Sequence, residues 1–195
     1  MTILTVSGHA RKTGKTTVAE GLIAAFPQCG WAALKISSHW HSTTLENYLI
    51  IEEQSREGLN DTSRFLAAGA KRAWWARVRE GQMEAAMPEA RKLLESEPFI
   101  LIEGNEILDF ISADFRILVL NDAVAEFKKS ARRILQQADA LLTIRNPTEA
   151  TFRREVVDFP AATPFFETDD PKVLPSELLR LIRSRLHLAS TQESF

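Results

Sequence analysis

Apolar residues along this chain fall into two kinds of pattern: short β-prone runs, and stretches in which they recur every three or four positions. Ile3, Leu4 and Val6 form the first run. Val18, Leu22 and Phe26 then give a helix one apolar stripe, stopped by Pro27 and Gly30. A second strand is predicted over 31–36. Residues 45–58 read as helical but weakly patterned, and Asn60-Asp61-Thr62 has the chemistry of an N-cap for a helix over 63–70 that ends at Gly69. A short strand over 74–78 precedes helical sequence to about Leu94, interrupted or restarted at Pro88. Phe99-Ile100-Leu101-Ile102 is apolar without alternation, as in a strand covered on both faces, and it ends abruptly at Glu103-Gly104. A similar run over 115–120 precedes a helix presenting Phe127, Ala131, Ile134 and Leu135, and 140–144 is the next strand. The segment 146–173 is rich in proline and polar residues, with Phe165-Phe166 in an edge strand. Leu178, Leu179, Ile182 and Leu186 mark a last helix, and the final seven residues are expected to fray. Such alternation predicts a three-layer α/β fold: a mostly parallel sheet, helices on both faces, and ligands at the carboxyl ends of the strands.

Composition narrows the function classes. At 195 residues and 45% hydrophobic, the chain suffices for one α/β domain spanning 1–195, and no composition break divides it. A formal net charge of −2 speaks against a nucleic-acid-binding or membrane-surface role and favours a small ligand. The single cysteine, Cys29, has no intramolecular disulfide partner, and neither a signal pattern nor a membrane-length apolar run is present, so a cytoplasmic setting is expected. Cys29 has no activating neighbours in sequence and reads as inert.

The chemistry concentrates where the first strand meets the first helix, in Gly8-His9-Ala10-Arg11-Lys12-Thr13-Gly14-Lys15-Thr16-Thr17. Backbone N–H groups of such a loop and of the following helical turn point at phosphates, and the helix dipole adds partial positive charge there. Gly14 permits close backbone approach. Lys15 is expected to reach the β- and γ-phosphates, the Thr16 hydroxyl to ligate a phosphate-bound Mg²⁺, and Thr17 only to help start the helix. The usual loop holds four residues between its glycines, whereas here there are five, and His9 stands where the first glycine belongs. Either the loop is widened or the tight turn moves back to Gly8. Arg11 and Lys12 make it unusually basic, which suits a triphosphate or a second anion.

Other candidates follow from position. Glu103, at a strand's carboxyl end, is placed to hold Mg²⁺ through water or to orient an attacking group; its bland reading is a carboxylate that terminates a strand. Lys35 lies in an otherwise apolar strand, where a charge needs a partner or an exit to solvent, and a phosphate contact or simple edge exposure would each explain it. Asn146 follows the strand at 140–144, either touching a nucleotide base or forming a turn before Pro147. His39 and His41 read as exposed loop residues that could face a second substrate, rather than as zinc ligands. Arg64 could face the site with Asp61 capping the helix or pairing with it.

With these residues in place, the chain resembles the molybdopterin-guanine dinucleotide biosynthesis adapter family, MobB, through GHARKTGKTT, LKISSHWH, DTSRFLAAGA and LIEGN, which together span about residues 3 to 105. The five-residue loop also resembles the dethiobiotin synthetase branch of the same superfamily. The resemblance implies a P-loop NTPase fold of the SIMIBI type, a phosphate-binding role for Lys35, a magnesium-site role for Glu103, and a homodimer. Its implied function is Mg²⁺-dependent binding and weak hydrolysis of ATP or GTP in the service of a molybdenum-cofactor biosynthesis enzyme. The alternatives are an ATP-dependent ligase or kinase acting on an anionic small-molecule acceptor, and a phosphate-ligand binder without hydrolysis. No Asn-Lys-x-Asp guanine-reading sequence occurs, so ATP and GTP stay unseparated.

Overall fold

The computed structural model describes residues 1–38, 46–145, 160 and 162–188. Its apolar runs become the strands β1 (Thr2–Gly8), β2 (Ala32–Ser37), β3 (Tyr48–Glu52), β4 (Arg72–Val78), β5 (Phe99–Glu103), β6 (Phe115–Asn121), β7 (Ala140–Ile144) and β8 (Phe165–Thr168). They form one sheet of order β3-β4-β2-β5-β1-β6-β7-β8, parallel throughout except for β3, which runs antiparallel to β4. The helices are α1 (Lys15–Ala25), α2 (Asp61–Ala67), α3 (Met83–Leu94), α4 (Lys129–Leu135) and α5 (Ser176–Arg185).

Strand alternation sorts side chains to two faces, and each face is covered. Leu4, Val6, Leu101 and Val119 meet Val18, Leu22, Phe65, Leu178 and Ile182 from α1, α2 and α5. On the other face, Ile3, Ile100, Ile102 and Trp74 meet Met83, Ala86 and Met87 of α3, while Leu118 and Leu120 meet Ile134 and Leu135 of α4. Burial on both sides is why β1 and β5 read as continuous apolar runs. This is the three-layer α/β arrangement expected from the pattern.

Local differences have physical reasons. The expected helix over 45–58 is replaced in part by β3, whose Tyr48, Ile50 and Ile51 are aromatic or β-branched and whose exposure alternates, Leu49 and Ile51 lying outward at 37% and 43%. Helix α3 runs through Pro88 without a break, because its buried face of Ala86, Met87, Ala90 and Leu94 offsets the one ladder bond that proline removes. Phe127 precedes α4 rather than lying on it. Helix α2 ends as expected, with Gly69 in the left-handed region at φ +111°. Residues 189–195, Asn146, His39 and His41 lie outside the described residues. No helix among the described residues is long and apolar enough to cross a membrane.

The order of strands positions the site. β5 separates β1 from β2, and the chain crosses from β5 over β1 to β6, so the direction of winding changes beside β1. Ligands of open α/β sheets sit at such a point, beyond the carboxyl ends of the strands. Val6, Lys35 and Glu103 are register partners at this edge.

Candidate functional site

The loop between β1 and α1 folds back on Gly8, the last residue of β1. A Cβ on Gly8 would lie 2.4 Å from Thr13 Oγ1 and 2.9 Å from the Lys15 stem, so only glycine lets the loop close there. Asn105 clamps the same residue, accepting from the Gly8 N–H at 3.1 Å and donating to its carbonyl at 2.9 Å. At the loop's other end Gly14 has φ +90°, and a Cβ would meet Ile144 Cδ1 at 2.5 Å. Gly14 is also the N-cap of α1, which has neither a side-chain cap nor an acid in its first turn. A helix begun in this way leaves N–H groups without side-chain acceptors at its positive end, which is the physical requirement for anion binding. Lys15 Nζ donates to the Ala10 carbonyl at 3.0 Å across the loop.

Next to the loop is a compact charge cluster. Lys35 Nζ lies 2.5 Å from Glu103 Oε1 and 2.9 Å from Asp61 Oδ2, and 3.4 Å from Thr16 Oγ1. Thr16 Oγ1 donates to Glu103 Oε2 at 2.9 Å. Glu103 is 1% exposed, so its carboxylate depends on these partners. A cavity of about 940 Å³ opens above the cluster, lined among others by Arg11, Lys12, Lys15, Lys35, Ser37, Asp61, Glu103, Asn105, Glu106 and Lys128. Burial lowers the Lys15 pKa from its ordinary value; Glu103 opposes this, and the charges of Lys35 and Lys128 add to it. The ammonium therefore sits in a field that an incoming anion would relieve.

The structure brings together Gly8, Arg11, Lys12, Gly14, Lys15, Thr16, Lys35 and Glu103 at one edge of the sheet. Thr13 is fully buried inside the loop, 3.5 Å from the Ala10 carbonyl. His9 is fully buried too, and its ring points behind the loop, accepting at Nε2 from the Asn121 N–H at 3.2 Å. Thr17 turns away from the cavity, 3.4 Å from Arg64 Nη2. Arg64 pairs with Glu20 of α1 at 2.5 Å, lining a separate groove of about 320 Å³, and Asn60 is the cap of α2, accepting from the Ser63 N–H at 2.8 Å. Asp61 is thereby free to reach across to Lys35, although it also lies 3.7 Å from Arg64. Asn105 and Lys128 are not singled out by the sequence reading. Asn105 follows the end of β5 on the ligand edge, a position that could have found it. Lys128 is the N-cap residue of α4, well past the end of β6, and only the fold brings it to the cavity.

No protein-family model and no curated protein matches the sequence. Among solved structures, the chain is similar to HypB from Helicobacter pylori in complex with nickel, with a TM-score of 0.54 and 18% identity over 100% of this chain and 92% of that one. It is similar to LpxK from Aquifex aeolicus in complex with ATP, with a TM-score of 0.50 and 17% identity over 92% of this chain and 60% of that one. A MobB protein homolog from Bacillus stearothermophilus aligns with a TM-score of 0.45 and 16% identity over 95% of this chain and 98% of that one. The chain thus spans about three-fifths of LpxK and nearly the whole of HypB. The likeness to HypB and LpxK is one of fold: a mostly parallel α/β sheet with helices on both faces.

Proposed function

We propose that the protein binds a nucleoside triphosphate, ATP or GTP, together with Mg²⁺, and hydrolyses it weakly in the service of another enzyme, as the MobB resemblance implies. The observation that carries this reading is the uncapped start of α1 beneath a loop closed on Gly8 and opened at Gly14, with Lys15 across it. In this reading the N–H groups of residues 13–16 cradle the inner phosphates, and Lys15 exchanges the Ala10 carbonyl for phosphate oxygens. Arg11 and Lys12 add positive charge at the cavity wall.

The residues present fit a magnesium ion. Thr16 Oγ1, Glu103 and Asp61 converge on one cation, the Lys35 ammonium, and hydroxyl and carboxylate oxygens are the hard donors that Mg²⁺ prefers. Among the described residues no group of three or more His, Cys, Asp or Glu forms a metal-binding set. Such an ion neutralises charge on the β- and γ-phosphates. Lys35 would then turn to the terminal phosphate. A homodimer and a molybdenum-cofactor enzyme as partner belong to this reading through the resemblance alone.

A second reading, transfer of the terminal phosphoryl group to a small acceptor, is favoured by the size of the cavity, which extends past Lys35 to Ser37, Glu80 and Glu106 and leaves room beside a triphosphate. Thermal unfolding with ATP or GTP, with and without Mg²⁺, tests binding for both readings. At a hundredfold excess over Kd a bound nucleotide adds about 2.7 kcal/mol, a rise of about 5–10 °C for a chain of this size. The shift is expected in the wild type and lost in Lys15→Ala; a wild-type melting curve indifferent to both nucleotides would refute it.

A further inference from the structure

The connection between β6 and α4 is docked on the phosphate loop and carries a cation into its cavity. The Lys128 N–H donates to the His9 carbonyl at 2.9 Å, which fixes the end of this connection against the first residue of the loop. His9 strengthens the junction from within: its buried ring accepts from the Asn121 N–H and lies against Phe127 with ring centroids 5.4 Å apart. The histidine ring where the usual loop has glycine therefore pins the end of β6 and Phe127 to the loop, and the backbone carbonyl of the same residue holds Lys128. The side chain of Lys128 lines the large cavity with Arg11, Lys12 and Lys15. Lys35 is matched by Glu103 and Asp61, and Lys15 by the Ala10 carbonyl, whereas no carboxylate among the described residues lies within ion-pair distance of Lys128. Its charge is near enough to Lys15 to contribute to the lowering of that group's pKa. Two ammonium groups facing one cavity repel each other until an anion lies between them.

We infer that Lys128 is a phosphate-binding residue that contacts the terminal phosphate of the bound triphosphate, held in place by His9. This rests on the nucleoside triphosphate reading above. The terminal group is singled out by position: in the reading above the start of α1 takes the inner phosphates, and Lys128 is fixed through its backbone at His9, the end of the loop away from α1, while its side chain lines the same cavity as Lys15. The connection thus supplies from within the chain a cation whose worth depends on the third phosphate being present.

Calorimetric titration of the full chain with ATP, ADP, GTP and GDP in the presence of Mg²⁺ tests it. Lys128→Ala is expected to weaken triphosphate binding by about tenfold or more while diphosphate binding stays within about twofold, since a charge-assisted bond is lost only with the third phosphate. Lys128→Arg is expected to restore most of the difference. Lys128→Met keeps the apolar stem and serves if the alanine variant melts early. Unchanged triphosphate affinity, or an equal loss for di- and triphosphates, would overturn the assignment. A wild type that binds none of the four nucleotides sinks the underlying reading instead, so the two failures are distinct.

Discussion

His9 shows how a single side chain can depart from a motif and still serve it. Burial, aided by the charge of Lys15, lowers its pKa from 6.5 to about 4, opposed by a hydrogen bond with the Glu126 backbone. The folded protein therefore holds the ring neutral where an unfolded chain would bind a proton. The sign follows: stability is full above about pH 6.5, and it declines as the pH falls from there towards 4, by at most about 1.4 kcal/mol per pH unit for this one group. Urea unfolding at pH 7, 5.5 and 4 is expected to show the stability gap between wild type and His9→Gln narrowing as the pH falls, because the glutamine has no proton to gain. A gap that stays constant across that range would place the titration elsewhere. Sequence alone makes His9 conspicuous but not intelligible, since its partners, Asn121 and Phe127, are more than a hundred positions away. Lys35 and Glu103 are more legible. A charge inside an apolar strand and a carboxylate at the end of another declare that each has a partner, and the parallel register then makes them neighbours.

At the scale of elements, legibility tracks how local the determining forces are. Helix α2 is foreseen from its cap chemistry, and Asn60 does cap it, its Oδ1 accepting from the Ser63 N–H and the Thr62 hydroxyl, both at 2.8 Å. The consequence for the site is not local: the cap sets where α2 begins and so where Asp61 meets Lys35. Replacing Asn60 by alanine is expected to cost about 1 kcal/mol, because a buried N–H loses its acceptor. A melting temperature about 2–4 °C lower would report it, and an unchanged one would show that another acceptor takes over. The edge strand β3 is the opposite case. The β-prone residues at 48–51 are too few to outweigh a helical reading of 45–58 by themselves; pairing of Ile50 and Ile51 with Ala76 and Trp75 of β4 tips the balance, and that contact belongs to the tertiary structure.

For the whole molecule, sheet order makes one site of residues that sequence scatters over more than a hundred positions. β1 delivers the loop, β2 delivers Lys35, β5 delivers Glu103, and β6 leads to Lys128, all at one edge. Stability and binding are coupled in Glu103 because the same carboxylate holds Lys35 and Thr16 in the free protein and is proposed to face Mg²⁺ in the bound one. Glu103→Gln keeps the shape and a hydrogen-bonding oxygen but removes the charge. Lys35 keeps Asp61, so the loss of fold stability is expected to fall short of the 3–5 kcal/mol typical of a broken buried pair, at about 1–3 kcal/mol. Nucleotide should still raise the melting temperature, since the loop amides and Lys15 are untouched, but the additional rise on adding Mg²⁺ should shrink or vanish. The two effects are separable by recording the variant without ligand, with nucleotide and EDTA, and with nucleotide and Mg²⁺. If the magnesium-dependent increment matches the wild type, Glu103 is a structural partner of Lys35 and the metal is held without it. If the EDTA increment disappears as well, the charge cluster governs the phosphate loop itself, and Thr16 is the link through which it does so.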